Sequence, residues 1–108
     1  MAVNVTLIDG VQPAVTTAVD SFTSPDNGAG TRIIAFTASL ITGTETYRVF
    51  IGDAATAENE IIPATSLGGP AKDSPLELIN HLIPAGEKMF VQVSTGSTIS
   101  FRATGVNF

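Results

Sequence analysis

The sequence contains no cysteine and no tryptophan, and it has a single histidine, His81, and a single tyrosine, Tyr47. Without cysteine, neither a disulfide bond nor a thiolate metal site can form. One histidine cannot supply a two-histidine metal site, and it leaves a serine nucleophile with only one candidate base. Without tryptophan, the chain has few aromatic surfaces on which a sugar ring could stack. These absences argue against metal-dependent, thiol-dependent and sugar-cleaving enzymes.

Charged residues are also scarce, at 14% of the chain with a net charge of -5, against roughly 25% in ordinary soluble domains. The five cations stand singly along the sequence: Arg32, Arg48, Lys72, Lys88 and Arg102. Because nucleic-acid binding depends on clustered positive charge, we expect no nucleic-acid partner. No apolar run approaches the roughly 18 residues of a membrane span, so no membrane partner is expected. The opening residues lack the pattern of a secretory signal, which predicts synthesis and folding in the cytoplasm.

Alternating apolar and polar residues are what the chain does contain, most clearly in its closing segment. The stretch from Leu82 to Val106 reads as two strands joined by a tight glycine turn. In the second strand Ile99, Phe101 and Ala103 occupy one face, and Thr98, Ser100, Arg102 and Thr104 occupy the other. This pattern is typical of a sheet with one buried face and one solvated face.

Similar runs follow one another along the whole chain, separated by turn clusters. Thr31 to Ile41 is apolar on both sides, which predicts a central strand covered on both faces or facing a neighbouring subunit. The turn Thr42–Thr44 predicts a hairpin with the strand from Glu45 to Gly52. Leu76–Ile79 reads as a short strand, and Asp53–Asn59 has the only helical tendency.

The count is about eight strands with no firm helix, in a chain of 108 residues. A chain of this length forms one domain and buries roughly two-thirds of its unfolded surface, enough for a core without metal or disulfide. We therefore predict a single all-β domain over residues 1–108, an antiparallel β-sandwich or a jelly-roll-like barrel.

Few residues are candidates for chemistry. His81 reads as a turn residue between strands, and Asp26–Gly28 as a turn, since the ligands of a calcium loop do not follow it. Asp53, Glu58 and Glu60 gather on one connection, which they either keep solvated or use to bind a hard cation weakly. The paired glycines lie between strands, so they cannot cradle phosphate at a helix start. We expect no catalytic residue, no metal and no cofactor.

The closing segment also resembles a known group. Its phrases Ile83-Pro84-Ala85-Gly86-Glu87, Met89-Phe90-Val91-Gln92-Val93-Ser94 and Phe101-Arg102-Ala103-Thr104-Gly105-Val106 are similar to the end of small virion proteins of tailed bacteriophages. The stretches Thr31–Ala38 and Tyr47–Gly52 extend the likeness to about two-thirds of the chain. The proline-alanine-glycine turn that the group often has near its start is incomplete here, since Val11-Gln12-Pro13-Ala14-Val15 lacks the glycine.

The resemblance implies a non-enzymatic structural protein of the virion, a capsid cement or decoration protein that bridges capsomers, or alternatively a head-tail junction or tail protein. Its partners would be the major capsid protein or neighbouring virion proteins and further copies of itself, with a trimer favoured on analogy. The apolar chain ends predict an interface at Val3, Val5, Val106 and Phe108, able to add to a neighbouring sheet edge if unpaired within their own domain.

Two readings from other classes stay open at this stage. A glycan-binding β-module would need an exposed aromatic platform, with Tyr47 as its test, although Phe36, Phe50, Phe90 and Phe101 lie in strand runs and read as core. A small hydrolase would need a cleft that joins His81 to a hydroxyl group.

Overall fold

A computed structural model describes residues 3–11, 19–94 and 99–108 of the chain. Within these ranges the chain is all-β, and its only helical segments are two 3₁₀ turns, Ala57–Asn59 and Leu76–Leu78. The strands, in chain order, are β1 (Val3–Val11), β2 (Val19–Thr23), β3 (Thr31–Leu40), β4 (Thr44–Gly52), β5 (Glu60–Gly68), β6 (Ala71–Asp73), β7 (Leu82–Ile83), β8 (Lys88–Val93) and β9 (Ile99–Asn107). The predicted all-β class is confirmed.

The strands form two antiparallel sheets, packed as a β-sandwich. The first sheet has the order β1-β9-β3-β6, and β7 pairs with β3 on the same side as β6. The second sheet has the order β2-β8-β4-β5. The strand nearest the end of the chain, β9, therefore lies between β1 and β3 and has a partner on each side.

Period-two alternation explains how these strands build the core. Ile99, Phe101 and Ala103 of β9 are buried, whereas Arg102 and Thr104 are exposed. The predicted faces of this strand are thus confirmed, apart from Thr98, which lies outside the described residues. Phe101 stands at the centre of the core, with its ring centroid 5.9 Å from that of Phe36 and 5.8 Å from that of Tyr47. Phe36 and Tyr47 come from β3 and β4, so one aromatic cluster joins both sheets.

The prediction for β3 is confirmed in part, since the strand is central, with β9 on one side and β6 and β7 on the other. A bulge between Ile33 and Ala35 places an extra residue in the strand, so that Ile33 and Phe36 both point into the core. Ile34 is left on the outer face with 47% of its surface exposed, so this chain does not cover that face, and its contact with a neighbouring subunit stays a prediction. Because a bulge shifts the alternation by one residue, strict counting would place Ile34 and not Ile33 on the face of Phe36.

Three local predictions also need correction. β3 and β4 do not form a hairpin, since the turn at Thr42–Thr44 carries the chain from one sheet to the other. The closing strands β8 and β9 likewise belong to different sheets, and the glycine turn predicted between them falls in residues 95–98, outside the described ranges. Leu76–Leu78 is a 3₁₀ turn that buries Leu78 and leaves Leu76 exposed, not a strand.

Candidate interaction surface

His81 lies in the connection between the second 3₁₀ turn and β7, as predicted from the sequence. Its backbone carbonyl accepts a hydrogen bond from the Ile33 amide at 2.9 Å. The ring is half-buried, and this burial lowers its pKa below the ordinary value. Within the described residues no hydroxyl or carboxylate group hydrogen-bonds the ring. No described hydroxyl group therefore forms with the His81 ring the pair that the hydrolase interpretation requires.

The acidic connection between β4 and β5 is held by protein partners. The Asn59 side-chain amide donates to Asp53 Oδ1 at 3.2 Å, and the Arg48 guanidinium lies 3.4 Å from Glu60 Oε2. Glu58 is exposed. Across the described ranges no three histidine or acidic side chains come together in a way that could hold a metal ion. Asp53 and Glu60 therefore have protein partners in or beside this connection.

Polar side chains buried inside the sandwich are also satisfied by neighbours. Ser24 and Thr31 share a hydrogen bond of 2.8 Å, and the Thr31 hydroxyl donates to Asn107 Oδ1 at 2.5 Å. This chain of contacts ties the loop before β3 to the end of β9. Buried polar groups with such partners rigidify a core rather than react, because their hydrogen-bonding capacity is used within the fold.

Glu45 is a buried carboxylate, with 2% of its surface exposed. Its Oε1 atom accepts hydrogen bonds from the Ser94 hydroxyl at 2.5 Å, the Ser94 amide at 3.2 Å and the Thr46 amide at 3.1 Å. Glu45 therefore fastens the end of β8 to the start of β4. Sequence reasoning gave this residue no role, because an acidic residue that begins a strand is usually solvated.

Tyr47 cannot serve as an exposed platform for a sugar, since it is fully buried. Its hydroxyl donates to Asp73 Oδ2 at 2.5 Å, and burial, followed by this hydrogen bond, raises the pKa of the phenol far above its ordinary value. Of the four phenylalanines expected in the core, Phe36, Phe50 and Phe101 are buried and Phe90 is half-buried. The glycan-binding interpretation thus loses the side chain on which it was to be tested.

The outer face of the first sheet is rich in small polar residues. Its polar side chains lie opposite one another across β1, β9 and β3: Thr6 with Thr104, Arg102 with Thr37, and Ser100 with Ser39. Small hydroxyl-bearing residues can hydrogen-bond at low cost in side-chain entropy. A groove of about 410 Å³ crosses this face, lined by Asn4, Val5, Thr6, Ile34, Thr104 and Gly105.

All four residues of the predicted interface lie at one end of this sheet. Val3 and Phe108 are 54% and 46% exposed, while Val5 and Val106 are half-buried. They are not free strands, however. In the β1–β9 ladder Val3 lies opposite Asn107, and the Phe108 backbone pairs with Ala29 and Gly30 through two hydrogen bonds of 2.9 Å. Strand addition was predicted on the condition that the chain ends are unpaired within their own domain. The end of β9 does not meet this condition.

Other exposed apolar side chains were not foreseen as surface residues. Ile34 adds to the end of the sheet that carries Val3, and Ile41 and Leu76, both 82% exposed, lie elsewhere. Two further grooves occur in the described structure, one of about 300 Å³ beside Arg48 and Gln92 and one of about 410 Å³ beside Ile41 and Pro70. Neither of these two grooves is lined by His81.

Comparisons with known proteins do not assign this chain to a family. No protein-family model, curated protein or solved structure matches this chain. None of the described residues belongs to a helix long and apolar enough to span a membrane.

Proposed function

We propose that this protein is a non-enzymatic structural component of a tailed-phage virion, acting as a decoration protein that binds the capsid shell and bridges capsomers. The virion class comes from the resemblance in the closing segment and in the strands around Phe36 and Tyr47. The observation that carries the structural role is the outer face of the first sheet, which is rich in hydroxyl groups and carries exposed Ile34 at the end of the sheet where exposed Val3 and Phe108 also lie.

This surface suits assembly on a lattice for a physical reason. A sheet face with small polar groups and a few apolar side chains makes individually weak contacts, and many copies on a repeating shell add these contacts through avidity. The polar groups of the interior support the same reading, because Glu45, Thr31 and Tyr47 all hydrogen-bond within the fold. In this proposal the major capsid protein is the partner and the virion is the final location.

Binding to particles tests the proposal. Purified protein is mixed with capsid shells that lack it, and the shells are sedimented and imaged by electron microscopy. We expect the protein to sediment with the shells and to raise their resistance to heat. Ile34→Lys should abolish co-sedimentation because it places a charge at the centre of the apolar end of the face. Leu76→Lys is the matched control, since it changes an exposed apolar residue outside that face.

Three results would contradict the decoration role. Wild-type protein that stays in the supernatant would exclude shell binding. Protein recovered with necks or tails, at a few copies per particle, would support the head-tail junction or tail alternative instead. Binding to a glycan array that disappears on changing Phe108, an exposed aromatic residue, would favour the glycan-binding module.

A further inference from the structure

The edges of the two sheets differ in how well they are protected against pairing with another chain. Unprotected sheet edges expose backbone amide and carbonyl groups that can pair with any extended strand. In the second sheet, β5 carries Pro63 and two register shifts, and β2 is five residues long with a shift between Asp20 and Phe22. In the first sheet, β6 and β7 are only three and two residues long. Proline, bulges and short length are the usual devices of edge protection.

β1 differs from these edges because its first half has none of these devices. The run from Val3 to Thr6 contains no proline and no charged residue, and the first register shift of the strand comes only after Thr6. Within the described ranges, β1 forms ladder hydrogen bonds with β9 alone. Among the described residues, the Val3–Thr6 backbone therefore has a ladder partner on one side only, next to the exposed side chain of Val3.

We propose that β1 is a homodimerisation edge, at which two copies of this chain pair their β1 strands antiparallel across a two-fold axis centred on Val5. The inference rests on the proposed function, since it specifies the self-association expected of a virion protein. It replaces the trimer favoured by analogy, because a two-fold contact joins copies in pairs. The result is one continuous sheet that runs through both subunits.

The register follows from the two faces of the strand. Directly opposed residues in an antiparallel pair lie on the same face, so inward Val5 must oppose an inward residue and outward Asn4 an outward one. Centring on Val5 satisfies this rule: Val5 meets Val5 of the second copy, Asn4 meets Thr6, and Val3 meets Leu7. The core face then gains apolar contacts for exposed Val3 and half-buried Val5. On the solvent face an amide lies opposite a hydroxyl, and no like charges oppose each other.

The absence of cysteine makes a crosslinking experiment direct, because every thiol introduced is the only one in the chain. In the proposed register the two copies of residue 5 have Cβ atoms about 5 Å apart, close enough for a disulfide after small adjustments. The two copies of residue 4 are offset by two positions along the strand, about 8 Å apart, which is too far. Val5→Cys should therefore form a covalent dimer under mild oxidation roughly tenfold faster than Asn4→Cys. Thr37→Cys, on central strand β3, is the control, and it measures the rate of crosslinking by random collision.

A second measurement does not depend on substituting the half-buried Val5. Wild-type protein should sediment as a dimer in analytical ultracentrifugation, and Asn4→Lys should sediment as a folded monomer at the same concentration, since lysine at an edge blocks pairing. Thr104→Lys, exposed on the same face but on interior strand β9, should remain dimeric.

The proposal is overturned if the wild type is monomeric, if Asn4→Cys crosslinks faster than Val5→Cys, or if all three cysteine variants crosslink at one rate. These outcomes are separate from the decoration role. A monomer that still binds shells would contradict only the β1 dimer. A β1 dimer that binds no particle would contradict only the decoration role.

Discussion

The Tyr47 hydroxyl donates a hydrogen bond to Asp73 Oδ2, and this contact joins the interior of the second sheet to a three-residue edge strand of the first. The tyrosine ring packs edge-on against Phe101 on the core side of the same contact. Because β6 pairs with β3 at only three positions, Ala38, Ser39 and Leu40, the hydrogen bond is a substantial part of what holds this edge in place.

Tyr47→Phe should therefore lower the free energy of unfolding by about 1.5–3 kcal/mol at neutral pH, the usual range for a hydrogen bond that involves a charged group. The ring contact with Phe101 is kept in this variant, so the loss reports the hydroxyl alone. Urea unfolding followed by circular dichroism measures it. In the Asp73→Ala background, Tyr47→Phe should lower the free energy of unfolding by less than it does in the wild type. An equal loss in both backgrounds would show that the two residues are not coupled.

The same contact predicts how stability changes at alkaline pH. Burial, the hydrogen bond to Asp73 and the nearby negative charges raise the pKa of Tyr47 far above its ordinary 10.0. The unfolded chain releases the phenolic proton near pH 10.0 while the folded chain keeps it, so stability is full below that pH and falls as the pH rises above it. Tyr47→Phe lacks this loss, and its deficit relative to wild type should narrow as the pH rises.

Tyrosinate absorbance checks this directly, because the chain has one tyrosine and no tryptophan. The absorbance should rise only together with loss of the circular dichroism signal. A reversible titration near pH 10.0 in the folded protein would contradict the buried position of Tyr47.

Alternation along the strands predicted which residues of β9 fill the core, and it could do so because β9 has no irregularity at Ile99, Phe101 and Ala103. The bulge in β3 could not be predicted in this way, since an inserted residue leaves an apolar sequence apolar and only moves Ile34 outward. Alternation indicates the face on which a side chain lies, and it does not indicate the sheet to which a strand belongs. It therefore could not show that β8 and β9 lie in different sheets.

The exposed apolar side chains could be predicted only in part, for related reasons. Exposed Val3 and Phe108 were identified from their places near the chain ends, whereas Ile34 was assigned to a covered strand. The burial of Glu45 depends on Ser94, which is 49 positions away in the sequence. Contacts over such separations leave no local pattern to read.

Phe101 and Thr104 provide a direct test of the two faces of β9. Phe101→Ala should cost about 3–5 kcal/mol, because it leaves a cavity between Phe36 and Tyr47 at the centre of the core. Thr104→Ala, on the exposed face of the same strand, should cost about 0.5 kcal/mol or less. Thermal and urea unfolding of the two variants give the comparison, and equal losses would mean that the faces are assigned incorrectly.

The half-buried ring of His81 predicts that the fold loses stability at mildly acidic pH. Burial lowers the pKa of the ring below 6.5, so the folded chain resists a proton that the unfolded chain accepts near pH 6.5. Stability should therefore decline as the pH falls below that value, until the folded ring is also protonated. In His81→Gln this part of the decline should be absent. Urea unfolding at about pH 7.5 and about pH 5.5 measures it, and an identical pH profile in both proteins would contradict the effect of burial.

Glu45 and Ser94 provide the sharpest test of a long-range polar contact in this fold. Ser94→Ala removes one donor to Glu45 Oε1 and should cost about 1–2 kcal/mol, whereas Glu45→Ala removes a buried side chain together with the acceptor of all these bonds and should cost roughly 2–4 kcal/mol. Glu58→Ala, an exposed carboxylate in the first 3₁₀ turn, is the matched control and should change stability by less than about 0.5 kcal/mol. In the double variant Ser94→Ala should add little to Glu45→Ala, because its hydroxyl would already have lost its acceptor. Strictly additive losses would show that Glu45 does not fasten the end of β8 through Ser94.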